Sequence, residues 1–183
     1  MATSEAVHMS TNKLDQIIKA MDSLEDLEVV VGYQGDKAQQ FALKYDADGA
    51  KIPQPINMAT LAAIHNFGTS DGHIPARPYM SIGLMNAREE VQKRMALIAK
   101  RIHDGDTTPK KDLNAIGAVV VNAMRQALES LKNDARYALS EATKKNRKRR
   151  RGARKGDNAS PLIDTGRLRQ SLSFAVRKTR GGL

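Results

Sequence analysis

The densest chemistry in the chain is cationic. Lys144-Lys145-Asn146-Arg147-Lys148-Arg149-Arg150-Arg151-Gly152-Ala153-Arg154-Lys155 carries nine basic residues in twelve and no acid. Lys144, Lys145, Arg147, Lys148, Arg149, Arg150, Arg151, Arg154 and Lys155 are the candidates for meeting a polyanion. Each cation that neutralises a phosphate releases a condensed counterion, so duplex binding through such a run weakens steeply with salt. The run has no aromatic residue to stack on a base, which argues against sequence-specific reading of single strands. Like charges this close repel, so the isolated segment reads as a mobile loop or arm. Phosphate contact is the favoured reading, and a solvated loop or a grip on an acidic protein surface is the alternative.

Other chemistries find no footing. His8, His65, His73 and His103 are scattered, and none forms a helical two-ligand pair with a carboxylate at metal-site spacing. Cys is absent, which removes disulfides, thiol nucleophiles and thiolate metal sites together. No phosphate-cradling glycine loop ends in Lys-Ser/Thr, and no Gly-x-Ser-x-Gly elbow occurs. Carboxylates gather near Asp22–Glu28 without singling out an acid and base pair. The sequence therefore predicts no catalytic residue, no metal site and no cofactor, and a nuclease reading lacks its metal constellation.

Charge is divided along the chain. Residues 1–80 hold six Lys/Arg and ten Asp/Glu, a net of −4, whereas residues 81–183 hold 24 and 10, a net of +14. Such a dipole in chain order predicts one face that meets a polyanion and another that meets protein. The 183 residues suffice for one domain with a real core, and with aromatics at 4% that core rests on Leu, Ile, Val, Met and Ala. No apolar run approaches the roughly 20 residues that span a bilayer. The polar start Met1 to Ser10 lacks a signal-peptide layout. The expectation is a soluble chain, intracellular when made, with no membrane partner.

The elements that must carry these residues follow from periodicity. Residues 1–10 read as a flexible tail, and 11–183 as a single domain with a basic loop at 132–160. Leu14, Ile17, Ile18 and Met21 recur at helical spacing, with Thr11 or Asn12 as N-cap. Leu27, Val29, Val31 and Tyr33 alternate as a strand. Residues 35–55, with Gly49, Pro53 and Pro55, read as a loop or a weakly signalled hairpin. Ala59 to Phe67 reads as a short helix closed by Gly68. A long helix is expected from about Ser81 to His103, burying Ile82, Met85, Met95, Ile98 and Ile102, and ended by Asp104-Gly105. Thr108-Pro109 then opens another, with Leu113, Ile116, Val120, Met124, Ala127 and Leu131 in one stripe. Late in the chain Thr165 can cap a turn carrying Leu168 and Leu172, and Ser173 to Lys178 alternates as a strand. The sum is an α+β fold. Its small antiparallel or mixed sheet takes strands from both chain ends, packed by two long helices plus shorter ones, with the basic loop late.

Ile74-Pro75-Ala76-Arg77-Pro78-Tyr79 is the most unusual uncharged stretch apart from its single Arg. Two prolines hold it extended at low entropic cost. It suits either contact with a neighbouring subunit or a loop leading into the long helix.

Three stretches together resemble the family of phage neck and tail-completion proteins that includes relatives of the lambda minor tail protein Z. They are Leu61-Ala62-Ala63-Ile64-His65-Asn66-Phe67-Gly68-Thr69, then Ile74-Pro75-Ala76-Arg77-Pro78-Tyr79-Met80, then Pro161-Leu162-Ile163-Asp164-Thr165-Gly166-Arg167-Leu168 followed by Ser171-Leu172-Ser173-Phe174-Ala175-Val176. Their order matches, as does the basic stretch Ser140-Glu141-Ala142-Thr143-Lys144-Lys145 before the third. Asn66 stands where the family usually has Glu, and Tyr79 where Phe is common. The resemblance implies a non-catalytic virion subunit, made in the host bacterial cytoplasm, that forms a homo-oligomeric ring, expected to be a hexamer, at the head–tail junction. Its implied partners are copies of itself, head-side connector or neck proteins, and tail terminator or tail tube proteins, with packaged DNA as a polyanion within reach. In such a ring His65, Phe67, Gly68, Ile74, Pro75, Arg77, Pro78, Tyr79, Asp164, Thr165 and Gly166 are the candidates for subunit contact. One basic loop per subunit becomes a positive collar that faces either the DNA channel or an acidic neighbouring ring. A tail terminator or other minor tail subunit, and a standalone basic nucleic-acid-binding protein, remain the alternatives.

Overall fold

The computed structural model describes residues 3–45, 50–105, 109–131, 134–149 and 166–179. The element order is α1 (Thr3–Glu25), β1 (Leu27–Tyr33), α2 (Gly35–Gln39), β2 (Phe41–Tyr45), β3 (Lys51–Asn57), α3 (Met58–Phe67), α4 (Tyr79–His103), α5 (Pro109–Ser130), a 3-10 turn (Ala135–Tyr137), α6 (Glu141–Arg149), α7 (Arg167–Ser171) and β4 (Leu172–Lys178). The fold is α+β, with long helices α4 and α5 packed against the strands.

Two two-stranded sheets form, β1 with β4 and β2 with β3. Three contacts fix the direction of the first: Ser173 Oγ on the Gly32 carbonyl, Arg177 Nε on Glu28 and the Thr179 amide on the Asp26 carbonyl. One number rises as the other falls, so the strands from the two chain ends run antiparallel. The second sheet is an antiparallel hairpin that pairs Phe41 with Asn57 and Tyr45 with Lys51, with a bulge between Phe41 and Leu43. Residues 35–55 thus supply the hairpin that their Pro and Gly content signals only weakly.

The chain divides into two compact units. The first gathers described residues of Met1–Val30, Ala87–Val120 and Phe174–Leu183, the second those of Val31–Asn86 and Val121–Ser173. Every boundary falls inside β1, α4, α5 or β4 and none in a linker, which is why the sequence reads as one domain.

In the first unit Ala20, Ala87, Ile98, Ile102, Leu113, Ile116 and Val120 are buried. Gly117 lets the Phe174 ring lie against α5, since a Cβ there would stand 2.3 Å from its Cδ2. In the second unit Ala42, Met58, Ala62, Tyr79, Ala127, Leu128, Leu131 and Leu168 form one cluster, flanked by half-buried Tyr33, Ile56, Leu61 and Tyr137. The expected α5 stripe is buried along its whole length.

Four expectations need correction. The first helix begins at Thr3, so residues 3–10 continue it as helix instead of forming a tail, and Thr11 and Asn12 lie inside it. Its apolar stripe points outward, with Leu14, Ile18 and Met21 all exposed, because small Ala20 and half-buried Ile17 make the inner contact. Met85 and Met95 are exposed on α4 although Ile98 and Ile102 are buried. Finally, residues 141–149 are helical where a loop is expected. Lys and Arg are good helix formers, Ser140 Oγ accepts from the Thr143 amide, and Glu141 pairs with Lys144 at 2.7 Å. The Thr108 and Thr165 caps lie outside the described residues.

Gly83 sets how closely α4 and α5 approach within the second unit, since a Cβ there would stand 2.4 Å from Met124 Cα. Backbone cannot rotate away as a side chain can. Gly83→Ala is expected to lose about 1–3 kcal/mol, whereas Ala63→Ser, at an exposed position of α3, should stay within about 0.5 kcal/mol. Urea unfolding of both variants measures the difference.

Candidate functional site

The first two of the three sequence stretches form one hub in the second unit. Asn57 starts α3 by accepting the Thr60 amide on Oδ1 at 2.8 Å. Gly68 ends it with φ 77° and ψ −174°, donating its amide to the Ile64 carbonyl at 2.8 Å. That backbone region is open to glycine almost alone. A Cβ there would also stand 2.8 Å from the Ala76 nitrogen and the Ile74 oxygen. The chain therefore reverses and lies back on the helix it has just left.

Hydrogen bonds fix the reversal. The Thr69 amide donates to the Ile74 carbonyl at 3.0 Å, and the Ile74 amide donates to Thr69 Oγ1 at 2.9 Å. Asp71 accepts the His73 amide, and its bonds to Thr69 and His73 hold its carboxyl below the usual range. The Arg77 amide donates to the His65 carbonyl at 2.9 Å, and the Met80 amide to Asn66 Oδ1 at 3.2 Å. Buried Asn66 thus satisfies an orphan donor in the first turn of α4.

Two side chains turn inward from this stretch. Arg77 is buried, and its Nε donates to the Tyr137 carbonyl at 3.4 Å. Tyr79 is fully buried and donates its hydroxyl to that of Tyr33 at 2.9 Å. Burial raises both phenols. Tyr33 reaches about 12, with the Tyr79 bond pulling the other way. Tyr79 is pushed up further, because ionising it would also set it against Tyr33.

The third stretch joins the same cluster through Leu168 on α7. Gly166, at φ 75°, leads into that helix. Arg125 of α5 donates through Nη2 to the Leu172 carbonyl at 2.9 Å and through Nε to the Arg169 carbonyl at 3.3 Å. Arg169 in turn meets Glu129 at 3.0 Å. Asp164 and Thr165 lie outside the described residues.

The candidates for subunit contact therefore separate. Arg77 and Tyr79 are packed inside their own chain, and Gly68 is consumed by the close approach. Phe67, 76% exposed, and Pro75 face outward, while His65, Ile74 and Pro78 are half-buried. Of the nine basic residues, half-buried Lys144 pairs with Glu141 and Lys145 is exposed. Arg147, Lys148 and Arg149 continue α6, and Arg150, Arg151, Arg154 and Lys155 lie outside the described residues. Among the described residues no three His, Cys, Asp or Glu gather to hold a metal, and no helix is long and apolar enough to cross a membrane. Sequence reasoning did not single out Asn57, Asn66 as an acceptor, Arg125 or the Tyr33–Tyr79 pair. Only Asn57 carries a signal, as an Asn ahead of an apolar helix. The chain matches no family model, no curated protein and no solved structure.

Two outcomes follow from the hub. Gly68→Ala strains φ and drives a methyl into backbone, so it should lose at least about 2 kcal/mol in urea unfolding. The phenols give a pH signature. A pKa raised in the folded state contributes stability that is complete below the unfolded value near 10 and is lost as pH rises through about 12. Absorbance titration should show Tyr33 and Tyr79 ionising only above pH 11 or with unfolding. Tyr79→Phe, by deleting the bond to Tyr33, should change that upper part of the curve.

Proposed function

We propose that this chain is a structural, non-catalytic subunit of a tailed bacteriophage. It is a tail-completion or neck protein whose copies form a ring joining the tail to the head-side connector. What carries the reading is the convergence of the three stretches that resemble that family. Ala62, Tyr79 and Leu168, one from each, share a single buried cluster although over a hundred positions separate the first from the last.

Charge supplies the second support. In a ring each basic segment is repeated by symmetry, so residues 144–155 become a positive collar toward the DNA channel or an acidic neighbouring ring. A screened collar also suits a channel through which DNA must leave, where a deep phosphate groove would hold it back.

A tail terminator or another minor tail subunit shares the ring and differs in level. The basic segment alone favours a third reading, a standalone nucleic-acid binder, whose mark is salt-dependent DNA binding by a monomer. Electron microscopy of virions made without the protein tests the proposal. Heads full of DNA beside unjoined tails are expected, and normal joined particles overturn it.

A further inference from the structure

The first unit presents an apolar helical face that the described residues do not cover. Leu14, Ile18 and Met21 fall at i, i+4 and i+7 on α1, one stripe at about 100° per residue. They are 56%, 47% and 59% exposed. The inward contact is made beside this stripe, by buried Ala20 with half-buried Ile17 and Leu24. Exposed Asp15 and Asp22 line one edge of the stripe, Glu25 continues its line, and Lys19 stands one step further round. Three large apolar side chains in a row with an acidic rim make a protein-contact surface.

A complement exists on α4 in the same unit. Val91, Met95 and Ala99 follow one another at i, i+4 and i+8, and Arg88 precedes Met95 by seven on the same side. Met95, Ala99 and Arg88 are exposed and Val91 is half-buried. From Ala87 to His103 the helix carries Arg88, Lys93, Arg94, Lys100 and Arg101 against Glu89 and Glu90. Lys93 and Arg94 are matched by those two acids, and Arg101 by Asp112. The local surplus on this helix is therefore positive. Both faces stay exposed in one chain, so neither covers the other.

We propose that the α1 face around Leu14, Ile18 and Met21 docks on the α4 face around Arg88, Val91, Met95 and Ala99 of a second copy, head to tail. Two α1 stripes meeting antiparallel would bring their acidic edges together. Meeting α4 instead sets that acidic edge toward Arg88. Two different surfaces that join head to tail generate a ring or a filament and not a closed pair. The inference deepens the ring reading above by naming the faces, and it rests on that reading only for the expectation that copies meet.

The test uses the full chain and light scattering after size separation. One variant blocks α1 (Leu14→Glu with Ile18→Glu), another blocks α4 (Arg88→Glu with Met95→Glu), and circular dichroism checks that each is folded. The unaltered protein is expected to assemble. Each variant alone should be monomeric, and an equal mixture should give a dimer of one of each, because each retains the face the other has lost. Two monomers that do not combine overturn the head-to-tail pairing. An α1 variant that still assembles overturns the surface while leaving a ring through other faces. An unaltered protein that stays monomeric overturns this proposal, whereas the imaging of virions judges the junction role separately. If a blocked variant fails to fold, Asp15→Lys with Asp22→Lys replaces it. Self-affinity should then fall at least tenfold at low salt and return when mixed with Arg88→Glu, and an unchanged affinity overturns the proposal.

Discussion

Between Gly68 and the backbone of Ala76 there is room for a hydrogen atom and little else. That close approach lets the chain leaving α3 fold straight back along it, so that the Arg77 amide reaches the His65 carbonyl and the Met80 amide reaches Asn66. Only from that path do Arg77 and Tyr79 enter the interior. Tyr79 then sits among Met58, Ala62, Leu128 and Leu168, drawing α3, α4, α5 and α7 onto one cluster. The rest of the second unit is organised around a glycine that no side chain can replace without strain.

Paired polar groups inside this hub specify its geometry. Tyr33 and Tyr79 bond to one another, and Asn66 serves the first turn of α4. Arg77 spans sixty residues to the Tyr137 carbonyl, so the 3-10 turn ahead of α6 is tied to the loop behind α3. A buried guanidinium is weak support for stability by itself, since desolvation offsets much of what its bonds return. Its consequence is geometric: the root of the basic segment is fixed to the hub, whichever partner that segment meets.

Periodicity reports which residues share a face, and it reports inwardness only where one face is apolar. Along α5 a single stripe exists, and it is buried as read. On α1 Leu14, Ile18 and Met21 are turned outward, because buried Ala20 with half-buried Ile17 and Leu24 takes the inner contact and a small residue leaves little trace in an apolar count. Met85 and Met95 fail for a related reason. Helix α4 carries large apolar residues on more than one side, Leu84 and Met85 in its first half and Met95, Leu97 and Ile98 in its second, so spacing cannot choose among its sides. Over 141–149 charge repulsion competes with helix propensity and a Ser140 cap, and the local terms win. Within the hub, Gly68 and the two prolines were legible because each has one main backbone use. The Tyr33–Tyr79 bond was not, since it joins positions 46 apart that nothing local connects.

Not all of the large apolar side chains are covered. Phe67 on one unit, and Leu14, Ile18 and Met21 on the other, are left in contact with water. Full burial of such a side chain is worth about 1.5–3 kcal/mol, a return the isolated chain forgoes. Any partner that covers these faces binds the folded form and stabilises it by mass action. On α1 the described inward residues are buried Ala20 with half-buried Ile17 and Leu24, so such a partner would add to the hold on that helix. Stability of the first helix and association of the chain are thus linked quantities. A partner that covered Leu14, Ile18 and Met21 would therefore order the first helix as it bound.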